Sequence, residues 1–138
     1  MSKLLLIVFF IFLTCSCSEK IFTEGVDCDE CYRIKPDSAY LTINLTINDS
    51  YETIPLIVYR NEVEHKDTEY VDTAYESPYY LLVPVNKEYS VAAEYIKGSG
   101  KIIAIDGTNI KIRHVSSECD EDCWIIEGDE LDMGLKYQ

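Results

Sequence analysis

Four cysteines stand in two close pairs, Cys28 and Cys31 as C-x2-C and Cys119 and Cys123 as C-x3-C. Thiols in that pattern support three kinds of chemistry: a soft four-ligand set for zinc, a redox-active dithiol, or structural disulfides. Their neighbours weigh against the second. A reactive thiol needs a depressed pKa, which a helix N-terminus or nearby cations provide. Here the pairs are set in Asp27-Cys28-Asp29-Glu30-Cys31 and Glu118-Cys119-Asp120-Glu121-Asp122-Cys123, and carboxylates disfavour the thiolate. The βαβ pattern that accompanies a redox C-x2-C is missing too.

The remaining polar residues offer less. His65 and His114 are the only histidines, and neither sits in a motif with a serine or cysteine nucleophile. There is no glycine-rich phosphate loop and no H-E-x-x-H, so we expect no enzyme, no cofactor and no resident metal. Asp120, Glu121, Asp122, Glu127, Asp129, Glu130 and Asp132 are dense in hard oxygen ligands. They lack the spacing of a calcium loop and read as a solvated acidic rim. Tyr70, Tyr75, Tyr79 and Tyr80 gather around one loop among eleven tyrosines. Exposed, such rings offer an apolar surface with polar tips to a glycan or a peptide. Buried, they are simply good strand formers. The formal charge of −13 repels a phosphate backbone, so no nucleic-acid partner is expected.

Two further cysteines lie in the leader, MSKLLLIVFFIFLTCSC. Lys3 gives a positive start, and Leu4 to Leu13 is one apolar run. That run is about half the length that crosses a bilayer; with small residues behind it, it has the form of an export signal. Thr14-Cys15-Ser16-Cys17 resembles the lipobox of bacterial lipoproteins, in the relaxed form of the Bacteroides group. The resemblance covers only these residues. It implies cleavage before Cys17, with Cys15 as the alternative, and acylation of the new N-terminal cysteine. Residues 1–16 then form the signal peptide, 17–24 a tether and 25–138 the domain. The protein would be held at a membrane of the cell envelope, the outer more than the inner, with its domain in the periplasm or at the cell surface.

Export favours oxidised thiols over zinc at the second cysteine set. Four cysteines allow three connectivities. Joining the two pairs would bring two acidic clusters together. The local bonds Cys28–Cys31 and Cys119–Cys123 avoid that, but they close very short loops of small entropic value. Charge favours the local pairing, and that is the expectation.

The elements that must position these residues read as strands. In 39–47, Leu41, Ile43, Leu45 and Ile47 alternate with Thr42, Asn44 and Thr46, the pattern of a half-buried strand. Asn48, Asp49 and Ser50 form a turn. Strands follow at 54–60, 69–75, 79–85, 88–96, 123–127 and 130–135, with 61–68 a polar loop. Residues 98–100 read as a flexible connection. Lys101 to Asp106 and Ile110 to Val115 flank Gly107-Thr108-Asn109, a predicted hairpin. Pro55 marks a guarded edge or a strand start, and Pro84 a guarded edge or a bulge. About seven to eight short strands and no helical periodicity outside the leader predict an all-β fold, a single immunoglobulin-like or transthyretin-like β-sandwich. The expected core is Leu41, Ile43, Leu45, Leu56, Val58, Leu81, Val83, Val91, Ile103, Ile112 and Trp124. The function expected of it is binding or structural and non-catalytic, with a protein or glycan as partner. The alternatives are a glycan- or peptide-binding module built on Tyr70 to Tyr80, or a thiol or metal protein built on the four cysteines.

Overall fold

In a computed structural model, the protein is described at residues 26–116 and 119–136. Cys15 and Cys17, with the signal and the whole tether, lie outside that range. The described residues form eight strands: β1 (Ser38–Asn44), β2 (Ile54–Arg60), β3 (Thr68–Ala74), β4 (Tyr79–Pro84), β5 (Lys87–Lys97), β6 (Gly100–Val115), β7 (Cys123–Glu127) and β8 (Glu130–Asp132). They make two sheets, β4-β1-β8 and β3-β2-β5-β6-β7. The fold is an all-β sandwich, as the alternation predicts. The only helical pieces among the described residues are single 3₁₀ turns at Cys28–Glu30 and Val63–His65.

The core lies where two alternating patterns face each other. Along β1, Ala39, Leu41 and Ile43 turn inward and Tyr40 turns to solvent. Opposite them, β2 contributes Leu56 and Val58, registered against Ala93 and Val91 of β5. Tyr89 and Tyr95 complete the inward row of β5, and both rings are fully buried. A buried phenol needs a partner for its hydroxyl. Tyr89 donates to the carbonyl of Pro84 at 2.9 Å. Tyr95 donates to the carbonyl of Met133 at 2.8 Å and accepts from the Thr46 amide at 3.2 Å. One side chain of the larger sheet thereby holds the ends of β1 and β8 in the smaller one.

Several expectations need correction. Gly107-Thr108-Asn109 is not a hairpin but the middle of β6, which pairs with β5 without a break from Lys87–Ile110 to Lys97–Gly100. The glycine is there for close approach: a Cβ on Gly107 would stand 3.2 Å from Ser90 Oγ, which donates to the Asn61 carbonyl of the overlying loop at 2.7 Å. The connection at 98–100 is a tight turn, with Gly98 at φ +58, the left-handed conformation that favours glycine. Pro55 is not on an edge, since β2 lies between β3 and β5. It opens the strand before the β2–β5 ladder begins at Leu56, a position where its missing N–H costs nothing. Pro84 does end a true edge strand.

Ile103, expected in the core, is 49% exposed. It pairs with Glu94, on the face of β5 and β6 that points away from the smaller sheet. Trp124 is half-buried beside His114, ring centroids 4.6 Å apart. Leu81 and Ile112 are partly buried against the core, and the other seven expected residues lie within it.

Replacing Tyr95 by Phe leaves two backbone groups without a partner, and we expect a loss of about 1–3 kcal/mol in urea unfolding. Ile103→Ala, in the same assay, is expected to change stability by less than about 0.5 kcal/mol.

Candidate functional site

The chain enters the domain through its first cysteine pair. Asp27 caps the 3₁₀ turn, its Oδ1 accepting from the Asp29 amide at 3.0 Å. Cys28 opens this turn and Cys31 follows it in extended conformation, and both line one cavity. The next residue, Tyr32, exchanges two backbone hydrogen bonds with Trp124, each 2.8 Å. This lays the N-terminal segment along the outer edge of β7. On the facing side, Cys123 opens β7 opposite Val115, and Cys119 lies in the loop before it.

The disulfides join the two pairs: Cys28–Cys119 with Cα atoms 5.7 Å apart, and Cys31–Cys123 at 5.6 Å. The local pairing expected from charge is therefore wrong. The repulsion is met in two ways. Most of the carboxylates here are exposed, where water and salt screen them. Two cations that follow the first pair also cross over: Arg33 pairs with Glu121 at 3.1 Å, and Lys35 lies 5.1 Å from the Trp124 ring centre. These cations are the signal a reading of the acidic clusters alone overlooks.

The acidic residues of 120–132 do not converge. Glu127 pairs with Arg113 at 2.7 Å. Glu130 accepts from the Asn44 amide side chain at 2.7 Å, and Asp132 from the Gly134 amide at 3.1 Å. Nor do the histidines meet in one site: His65 ends the 3₁₀ turn over β5, while His114 faces Trp124.

The four tyrosines split. Tyr70 and Tyr79 are half-buried and pack against the core, whereas Tyr75 and Tyr80 are 71% and 57% exposed. Tyr79 donates to Asp72 Oδ2, which holds that carboxyl below its usual range. The expected single surface does not form. A different one does, on the outer face of the smaller sheet: Tyr40, 61% exposed, is registered opposite Leu82, and Thr42 opposite Tyr80. The sequence carries the signal for Tyr40, which alternates out of phase with Leu41 and Ile43.

No protein-family model, curated protein or solved structure matches the chain. The geometry alone therefore bears on its function. Among the described residues, the one place where three or more metal- or redox-competent side chains converge is the cysteine cluster.

Two tests follow from these side chains. The disulfides span 91 and 92 residues, yet once one is closed the other closes a loop of only about eight residues. Replacing either pair with alanine should cost roughly 2–3 kcal/mol and replacing both roughly 7 kcal/mol, measured by guanidinium unfolding. A double loss equal to the sum of the two single losses would contradict the shared loop. The second test is alkaline. Burial pushes the phenols of Tyr79 and Tyr89 up to about 12, helped at Tyr79 by its bond to Asp72. Burial also raises Tyr95. The folded state favours the neutral phenols, so their contribution is whole below about pH 10, the ordinary tyrosine value. It is lost as the pH rises toward about 12. Phenolate absorbance and sheet circular dichroism should change together in that window.

Proposed function

We propose that this is a lipid-anchored protein of the bacterial cell envelope whose sandwich domain has a non-catalytic binding or structural role. The observation that carries this reading is the pairing of two disulfides with an export-type leader. Both disulfides join segments far apart in the chain, and such bonds persist in oxidising compartments. The leader supplies the route there, and Cys17 the attachment. From Cys17 to Cys28 the chain reaches at most about 40 Å when fully extended, so acylation at Cys17 would keep the domain near the bilayer. More than one acyl chain is needed for stable anchoring, which the resembled lipoproteins provide.

A second reading, a glycan- or peptide-binding module, is favoured by the exposed Tyr40, Tyr80 and Leu82 on the smaller sheet. These rings stand on paired strands and not on a loop, which lowers the entropic cost of presenting them. The third, a thiol protein, loses support from the disulfides, which leave none of the four downstream cysteines as a thiol.

Labelling cells with a radioactive fatty acid tests the first reading. Label is expected on the native protein and on Cys15→Ser, and none on Cys17→Ser. An unlabelled native protein in the soluble fraction would overturn the anchor. Label lost only from Cys15→Ser would move the attachment to Cys15.

A further inference from the structure

The two disulfides are neighbours as well as cross-links. The Sγ atoms of Cys31, Cys119 and Cys123 all lie within 4.8 Å of one another, and Cys28 is bonded to Cys119. All four cysteines line one open cavity of about 350 Å³, with Asp29, Arg33, Asp120 and Glu121 also in its wall. A tetrahedral zinc site with four thiolates has Zn–S bonds of about 2.3 Å and therefore sulphurs about 3.8 Å apart. Once the S–S bonds open, Cys31 and Cys123, now bonded, have only to separate toward that spacing beside Cys119.

We propose that reduction converts the cluster into a single four-cysteine site for a thiophilic divalent cation, Zn²⁺ being the type. The link between the chain's start and the β6–β7 edge would then exist in two interchangeable forms, two disulfides or one metal. The electrons balance simply. From a dithiol, each disulfide takes two electrons and two protons and becomes two thiols while the dithiol leaves as a disulfide; from a phosphine it takes two electrons, and water supplies the two protons and the oxygen with which the phosphine leaves as its oxide. The cation then displaces four protons to solvent and is itself neither oxidised nor reduced. Cys123 is fixed by its place opposite Val115, and the reciprocal Tyr32–Trp124 hydrogen bonds keep Cys31 near it until the metal takes over the link. The surrounding carboxylates draw a cation toward the cavity. This inference does not rest on the lipid-anchored reading.

The test uses the full-length protein in detergent under anaerobic conditions. It is reduced with a phosphine, freed of the phosphine, and titrated with Co²⁺ alone. We expect one Co²⁺ per chain, with the strong thiolate charge-transfer and tetrahedral bands of a four-sulphur site. Zn²⁺ should displace it, all four thiols should become unreactive, and the thermal midpoint lost on reduction should return. The unreduced protein should bind none. Cys119→Ser should weaken binding by at least the roughly 10- to 100-fold that losing even a supporting hydrogen bond around a metal ligand costs. The proposal is overturned by weak octahedral bands, by four thiols that stay reactive, or by Cys119→Ser binding as native does. A reduced chain whose sheet signal is lost and not restored by metal overturns it as well.

Discussion

Everything in the fold hangs on the unbroken pairing of β5 with β6. Its register sends Tyr89, Val91, Ala93 and Tyr95 to one side of the sheet. A slip of one residue would turn the whole row outward. With the row in place, β2 docks on the other edge of β5 and the smaller sheet closes over it. β6 runs on past the end of β5, and that overhang receives β7. The cysteine cluster sits at its far end, so its position is inherited from a hairpin that contains none of its residues.

The cross-links answer a different need. A sheet edge exposes unpaired backbone groups, and the β7 edge is covered in part by Tyr32. Two hydrogen bonds would hold such a short segment weakly. The two disulfides, both just ahead of that contact in sequence, make the cover permanent while they are oxidised. β3, the opposite edge, carries no proline and, among the described residues, no such cover. Its Val71 is exposed, in line with Ile57, Ala92 and Ile105 across the outer face.

Much of this was legible in the sequence, and the failures have definite causes. The strand at Ile54–Arg60 can be read to the residue, because it is a short apolar run with a proline at its start and a charged residue at its end. Leu41, Ile43 and Leu45 declare their face by alternation. Gly107-Thr108-Asn109 misleads because glycine serves equally in a turn and where two backbones crowd, and only tertiary contact distinguishes the two. Ile103 and Trp124 mislead because apolarity does not say which face of a sheet will be covered. Disulfide chemistry at the downstream cysteines follows from residue type and leader. Their connectivity does not, because it depends on a β7 edge that exists only once the sheet is built and on cations outside the acidic runs. The tyrosine surface is not legible in one stretch such as Tyr70 to Tyr80, because a sheet face is assembled from different strands.

The disulfides also decide how the domain bears load. Cys28–Cys119 and Cys31–Cys123 close a covalent ring around everything from Tyr32 to Asp122, which includes β1 to β6. A pull on the chain ahead of Cys28, resisted at the C-terminal end, travels through sulphur straight into the segment that follows Cys123. Only β7, β8 and the tail lie in that line of tension. The six strands inside the ring are shielded from stretching, and most of the core can stay packed while the far end of the domain is drawn out.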